Sequence, residues 1–197
     1  MNTHGVDKGR RRVLVAATSV VGAIGAGFVA VPFISSMNPS AKARAAGAPV
    51  QADVSNLEPG ALLRVKWRGQ PIWVVNRTSD MVETLPEMDS RLVDPNSDQP
   101  QQPEYCKNST RSIKPTYFVA IGICTHLGCS PTYRPEEAPD DLGPDWEGGW
   151  FCPCHGSKFD LAGRVFKGVP APTNLVIPKH TYLNETTILI GEDSGAA

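Results

Sequence analysis

The sequence predicts a mainly β protein: an antiparallel β-sandwich head with a short helix and a loop insertion, preceded by a single N-terminal transmembrane helix. Three observations predict it. Residues 13–34 hold no charged side chain; as a helix rising ~1.5 Å per residue this run reaches about 33 Å, enough for a hydrocarbon core of roughly 30 Å. Beyond residue 51, short apolar runs alternate with Gly, Pro and polar turns. Gly and Pro number 18 each among 197 residues, which favours loops and short strands over a helix bundle. With 41% hydrophobic and 20% charged residues the chain is too apolar for a disordered one. A net charge of −1 argues against a nucleic-acid partner.

That small net charge hides an asymmetry. Residues 1–12 carry Lys8, Arg10, Arg11 and Arg12 against Asp7, a net of +3, while the chain from 51 onward carries −6. A basic end, an apolar run and an acidic body predict a single-pass membrane-anchored protein; the export signal and the resemblance given below imply that the membrane is a bacterial inner one. By the positive-inside rule its N-terminus is cytoplasmic and its head periplasmic. Arg10-Arg11-Arg12-Val13-Leu14 resembles a twin-arginine export signal, a route that carries folded proteins, often with a cofactor inserted. A cleaved secretory signal has an apolar region of only about 7–15 residues, so length favours a retained span; Ala43-Arg44-Ala45, an A-x-A pattern, is the competing sign. Residues 35–50 are small, polar and Ala-rich without a core-forming period, and read as a flexible tether before a head over 51–197.

Within the head, 61–67 and 71–75 flank Arg68-Gly69-Gln70 and read as a hairpin. Residues 116–123 form a short apolar run, a buried strand, and 186–190 a closing strand. A short helix is expected around 79–89, capped by Ser79 or Asp80. Residues 96–115 are Pro- and Gln-rich and read as an insertion loop.

Four of the five Cys and two of the four His fall in two short runs, Cys124-Thr-His126-Leu-Gly-Cys129 and Cys152-Pro-Cys154-His155-Gly-Ser157. Thiolates and imidazoles bind zinc, copper or iron–sulfur iron, and loops rich in Gly and Pro wrap a bulky centre. The residues alone leave three readings open: a structural zinc site using any four of the six groups, two disulfides on an oxidising side of the membrane, or a [2Fe–2S] cluster with two Cys on one iron and two His on the other.

The patterns C-x-H-x-x-C and C-x-C-H-x-S resemble those of the Rieske family. With the basic end, span, tether and β body, the resemblance covers nearly the whole chain and is closest to the iron–sulfur subunits of bacterial cytochrome bc1 complexes. It implies a Rieske-type head with one [2Fe–2S] cluster, held by Cys124 and Cys152 on the buried iron and by His126 and His155 on the outer one. It also implies a disulfide between Cys129 and Cys154; soluble Rieske ferredoxins and ring-hydroxylating oxygenases typically lack that second pair. Ser157 matches the family's hydroxyl donor to a bridging sulfide. Phe159 stands where many members have a Tyr bonded to a ligand thiolate, which predicts a lower potential. Leu127 and Gly128 match the apolar tip that docks on cytochrome b. Pro170 and Pro172 match the loop covering the cluster, with Val169 an insertion.

The resemblance further implies an electron-transfer subunit in a dimeric membrane complex with cytochrome b and cytochrome c1. It would take an electron from ubiquinol, with a proton received by His155 as the catalytic residue, and pass the electron to cytochrome c1. A tether lets the head visit both partners. A b6f-type or arsenite-oxidase-type subunit and a zinc module are the other readings. Among the remaining residues, His4 and His180 are expected at the surface, Cys106 as a free surface thiol, and Trp150 as core packing at the base of the site.

Overall fold

The computed structural model of the chain describes residues 5 and 7–194 and divides it into two units, Met1–Ala45 and Ala46–Ala197. His4 lies outside the described residues. In the first unit a 29-residue helix, α1 (Lys8–Ser36), is long and apolar enough to cross a membrane. Asp7 caps it, its carboxylate accepting from the Gly9 and Arg10 amides at 2.9 and 3.2 Å, where a negative charge also suits the helix dipole. The tether expected over 35–50 contains a second helix, α2 (Ala41–Gly47). Its run of Ala, the best helix former, carries no apolar stripe, so periodicity did not reveal it.

Among the described residues the second unit holds nine strands: β1 (Val50–Asp53), β2 (Leu62–Trp67), β3 (Gln70–Asn76), β4 (Tyr117–Ile121), β5 (Thr132–Glu137), β6 (Glu147–Phe151), β7 (Lys158–Phe159), β8 (His180–Asn184) and β9 (Thr187–Ile190). They form three antiparallel sheets of three, in the orders β1-β9-β8, β2-β3-β4 and β5-β6-β7. The β2-β3-β4 sheet is the middle layer. Ile72, Val74 and Val119 pack with Ala52, Ile188 and Ile190 on one face; Trp73, Val75, Phe118 and Ala120 pack with Trp150, Phe159, Cys124 and Cys152 on the other. Burial on both faces explains the unbroken apolar run of β3, which a one-sided strand would interrupt with polar residues. Trp73 and Trp150 stack between layers, centroids 4.0 Å apart and planes 2° from parallel, a pairing that adds about 0.5–1.5 kcal/mol to its area burial.

The hairpin and the strands at 116–123 and 186–190 are observed. The short helix, α3 (Ser79–Glu83), is capped by Thr78, whose hydroxyl accepts from the Met81 amide at 3.3 Å, and not by Ser79 or Asp80. A 3-10 helix follows over Leu85–Arg91.

Two expectations about exposure are corrected. Cys106 is fully buried in the core against Phe118 and Leu175, because the insertion folds back onto the head: the Ile177 amide donates to Gln101 at 2.8 Å and Arg111 grips the Ala162, Gly163 and Leu175 carbonyls. Desolvation pushes its thiol up to about 12. His180 is buried as well: its Nδ1 lies 2.8 Å from the Pro178 carbonyl, and the Tyr105 hydroxyl bridges its backbone N–H and C=O. Burial lowers its pKa.

Candidate metal centre

The two Cys/His runs form matching loops. In the first, which follows β4, the Cys124 amide donates to Cys129 O at 2.7 Å and the Gly128 amide to Cys124 O at 3.1 Å. In the second, between β6 and β7, the Cys152 amide donates to Ser157 O at 2.8 Å and the Gly156 amide to Cys152 O at 2.9 Å. The register is identical. Each loop turns through a glycine with positive φ, 84° at Gly128 and 76° at Gly156, a conformation that disfavours other residues. Cys124 and Cys152 thus hold equivalent first positions, while the His residues fall at the third position in one loop and the fourth in the other.

Cys129 and Cys154 form a disulfide across 25 positions of sequence. In the chain-entropy account such a closure stabilises by roughly 3 kcal/mol. It leaves Cys124 and Cys152 as the thiols at the site, both buried; desolvation raises the Cys124 thiol. His126 and His155 meet edge to face with ring centroids 4.8 Å apart, His126 half-buried and His155 exposed. His126 Nδ1 is buried with no hydrogen-bond partner. The donor set is therefore sorted by depth, sulfur inside and nitrogen outside. Two thiols, two imidazoles and an orphaned ring nitrogen fit a bound metal centre, and the difference in depth fits a binuclear one with unlike ends.

A third loop closes over the pair. The buried Ser157 hydroxyl accepts from the Ala171 amide at 3.0 Å, and Thr125 Oγ1 donates to Thr173 O at 2.7 Å. Pro170 and Pro172 flank Ala171 and are exposed. Leu127 stands 71% exposed beside exposed Gly128, against 50% for Leu183 and 45% for Val93, and makes a bare apolar tip. Phe159 is fully buried in the same core as Cys124 and Cys152. Trp150 packs there too, as expected, with Trp73 behind it.

Sequence reasoning missed what holds this arrangement from behind. The residues after Phe159 are gripped by three buried arginines. Arg77 and Arg111 donate to the Leu161, Ala162 and Gly163 carbonyls at 3.0–3.3 Å, and Arg164 pairs with buried Asp160 at 2.7 Å. The sequence offered no local signal for them, since Arg77, Arg111 and Arg164 lie far apart along the chain.

Fold and site together define a small β protein that presents two buried thiols and two outward imidazoles from a disulfide-tied loop pair. The Rieske [2Fe-2S] domain family matches residues 48–181, and the family described as "Ubiquitinol-cytochrome C reductase Fe-S subunit TAT signal" matches residues 1–40. The ubiquinol-cytochrome c reductase iron-sulfur subunit of Allochromatium vinosum is 75% identical over the whole of this chain and 95% of its own. That of Blastochloris viridis is 44% identical over 92% of each chain, and that of Rhodospirillum rubrum 40% over 96% of each. A chain of a hyperthermophilic respiratory Complex III structure is 24% identical with a TM-score of 0.49, covering 90% of this chain and 98% of that one. This chain belongs to the Rieske family, among the iron–sulfur subunits of ubiquinol–cytochrome c reductase. It is an electron-transfer subunit with a [2Fe–2S] domain, and the zinc-module, b6f-type and arsenite-oxidase-type readings fall away.

Proposed function

We propose that Cys124 and Cys152 bind the inner iron, and His126 and His155 the outer iron, of one [2Fe–2S] cluster. The observation that carries this is the sorting of donors by depth, with Cys129 and Cys154 withdrawn into the disulfide. When bound, the cluster supplies a one-electron acceptor whose potential is raised by neutral imidazole ligation. The chain does the rest. His155, the more exposed imidazole, accepts a hydrogen bond from a ubiquinol hydroxyl on its free ring nitrogen and receives the proton as the electron leaves. Leu127 and Gly128 seat the tip on cytochrome b and exclude water from that bond. Ser157, fixed by Ala171, directs its hydroxyl toward sulfur, and Pro170 and Pro172 shield the site. The head then delivers the electron to cytochrome c1.

In this reading residues 1–12 are cytoplasmic, 13–34 span the membrane, 35–50 form the tether and 51–197 the periplasmic head, in a dimeric complex. The test is dithionite reduction of membranes followed by EPR, iron, acid-labile sulfide and zinc analysis. An axial-to-rhombic iron–sulfur signal, lost in Cys124→Ser and Cys152→Ser and in His126→Ala and His155→Ala, is expected. Stoichiometric zinc without sulfide overturns the proposal.

A further inference from the structure

Three sulfurs crowd the seam between the two loops. The Sγ atoms of Cys129, Cys152 and Cys154 all lie within 4.8 Å of one another, although only Cys129 and Cys154 are bonded. Cys124, the other thiol of the site, stands outside that trio. The three differ in depth: Cys152 is 1% exposed, Cys129 half-buried and Cys154 exposed. A free thiol therefore sits beside a disulfide, screened from thiols in solution and with both bridge sulfurs in reach.

The backbone of Cys152 is pinned, its amide donating to Ser157 O at 2.8 Å and its carbonyl accepting from the Gly156 amide at 2.9 Å. Motion is left to the side chain. One change of χ1 rotamer carries a cysteine sulfur by about 3 Å, which spans the difference between 4.8 Å and the ~2 Å of an S–S bond. Of the two targets Cys129 is the favourable one. Attack there expels Cys154, whose sulfur leaves into water. Attack on Cys154 instead closes a ring across Pro153 alone, and the fixed φ of proline restricts that closure.

We propose that Cys152 is the exchange thiol of the Cys129–Cys154 bridge. Its thiolate attacks Cys129 Sγ; the Cys129–Cys154 bond breaks as a Cys129–Cys152 bond forms. The electron pair leaves on Cys154, which takes up the proton that Cys152 lost, so no oxidant or reductant is consumed. With its sulfur on iron, as proposed above, Cys152 cannot take this step. A head that has lost its cluster rearranges into a form that lacks one ligand and displays a thiol at Cys154. Only this protection rests on the ligand reading; the exchange needs the three sulfurs alone.

The test is disulfide mapping by mass spectrometry of the full chain in membranes, incubated for hours with maleimide and no reductant. Maleimide traps Cys154 as it is freed. Wild-type protein with its cluster is expected to keep the Cys129–Cys154 bridge and take no label. Cys124→Ser is expected to carry close to one label per chain on Cys154 and a Cys129–Cys152 bridge, and Cys152→Ser no label. Fully buried Cys106 stays unlabelled in both, which separates exchange from unfolding; should Cys124→Ser react there, wild-type chain stripped of iron by a chelator replaces it. An intact Cys129–Cys154 bridge in the cluster-free chain that retains Cys152, or equal labelling of Cys154 in Cys152→Ser, overturns the exchange. An iron–sulfur EPR signal that persists in Cys124→Ser overturns the ligand reading instead, and the stripped chain then decides the exchange.

Discussion

Phe159 is buried in one core with Cys124, Cys152 and Trp150, two residues past the Ser157 hydroxyl. Replacing its ring edge by a hydroxyl in Phe159→Tyr adds a donor next to the proposed thiolate ligands and favours the more negative, reduced state. The expected rise in midpoint potential is on the order of 50 mV, equivalent to about 1 kcal/mol for one electron; potentiometry reads it, and an unchanged or lower value would count against the donor argument. Cys106 behaves differently from an exposed thiol. With its pKa near 12 in the folded head against 9.0 when exposed, the unfolded chain loses the thiol proton first as pH rises. Stability tied to this group is therefore complete below about pH 9 and is lost between about 9 and 12. Cys106→Ala should blunt that alkaline loss in denaturation curves, and native protein should resist maleimide at Cys106 until unfolded. The buried state of Cys106 and His180 was not legible, since the groups that cover them come from far along the chain: Tyr105 bonds His180 across 75 positions. The Cys and His of the two loops were legible because their chemistry is packed into six residues each.

Among the elements, the β2–β3 hairpin could be read directly. Its Arg68-Gly69 turn takes φ of 50° and 77°, the pairing of positive values that matches strand twist, and apolar runs flank it. The sheet of β5, β6 and β7 could not. Its β6 opens Glu147-Gly148-Gly149, which reads as a turn, and β7 is two residues long. The glycines are there for space: a Cβ on Gly149 would stand 2.1 Å from Phe159 O, at a φ of 148°. Since that oxygen belongs to the paired strand, it cannot yield without moving the second loop. Gly149→Ala is expected to destabilise the head by about 3 kcal/mol or more, seen as a lower unfolding midpoint and a reduced yield of EPR-active protein. A midpoint within experimental error of wild type would show that β7 can shift independently.

At the scale of the molecule, the proposed traffic between cytochrome b and cytochrome c1 requires the head to move, and residues 35–50 are the segment available for it. The helix α2 within them is seven residues long, too short to be stable alone in water, so it can form and melt as the head travels. Introducing Pro at Ala41, Ala43 and Ala45 stiffens this segment; turnover of the complex should fall several-fold while the EPR signal of the head stays unchanged. Normal turnover would remove the mobile-head mechanism. By itself, the sequence determined the apolar span, the basic end, the donor residues of the two loops and the strands whose pattern is local, because charge, hydropathy and six-residue motifs need no partner to be read. Only the tertiary structure decided that the head has three layers, that the insertion loop folds back onto the core, and that Cys106 and His180 are buried. Those outcomes depend on contacts between segments tens of residues apart, which arise only when the chain closes on itself.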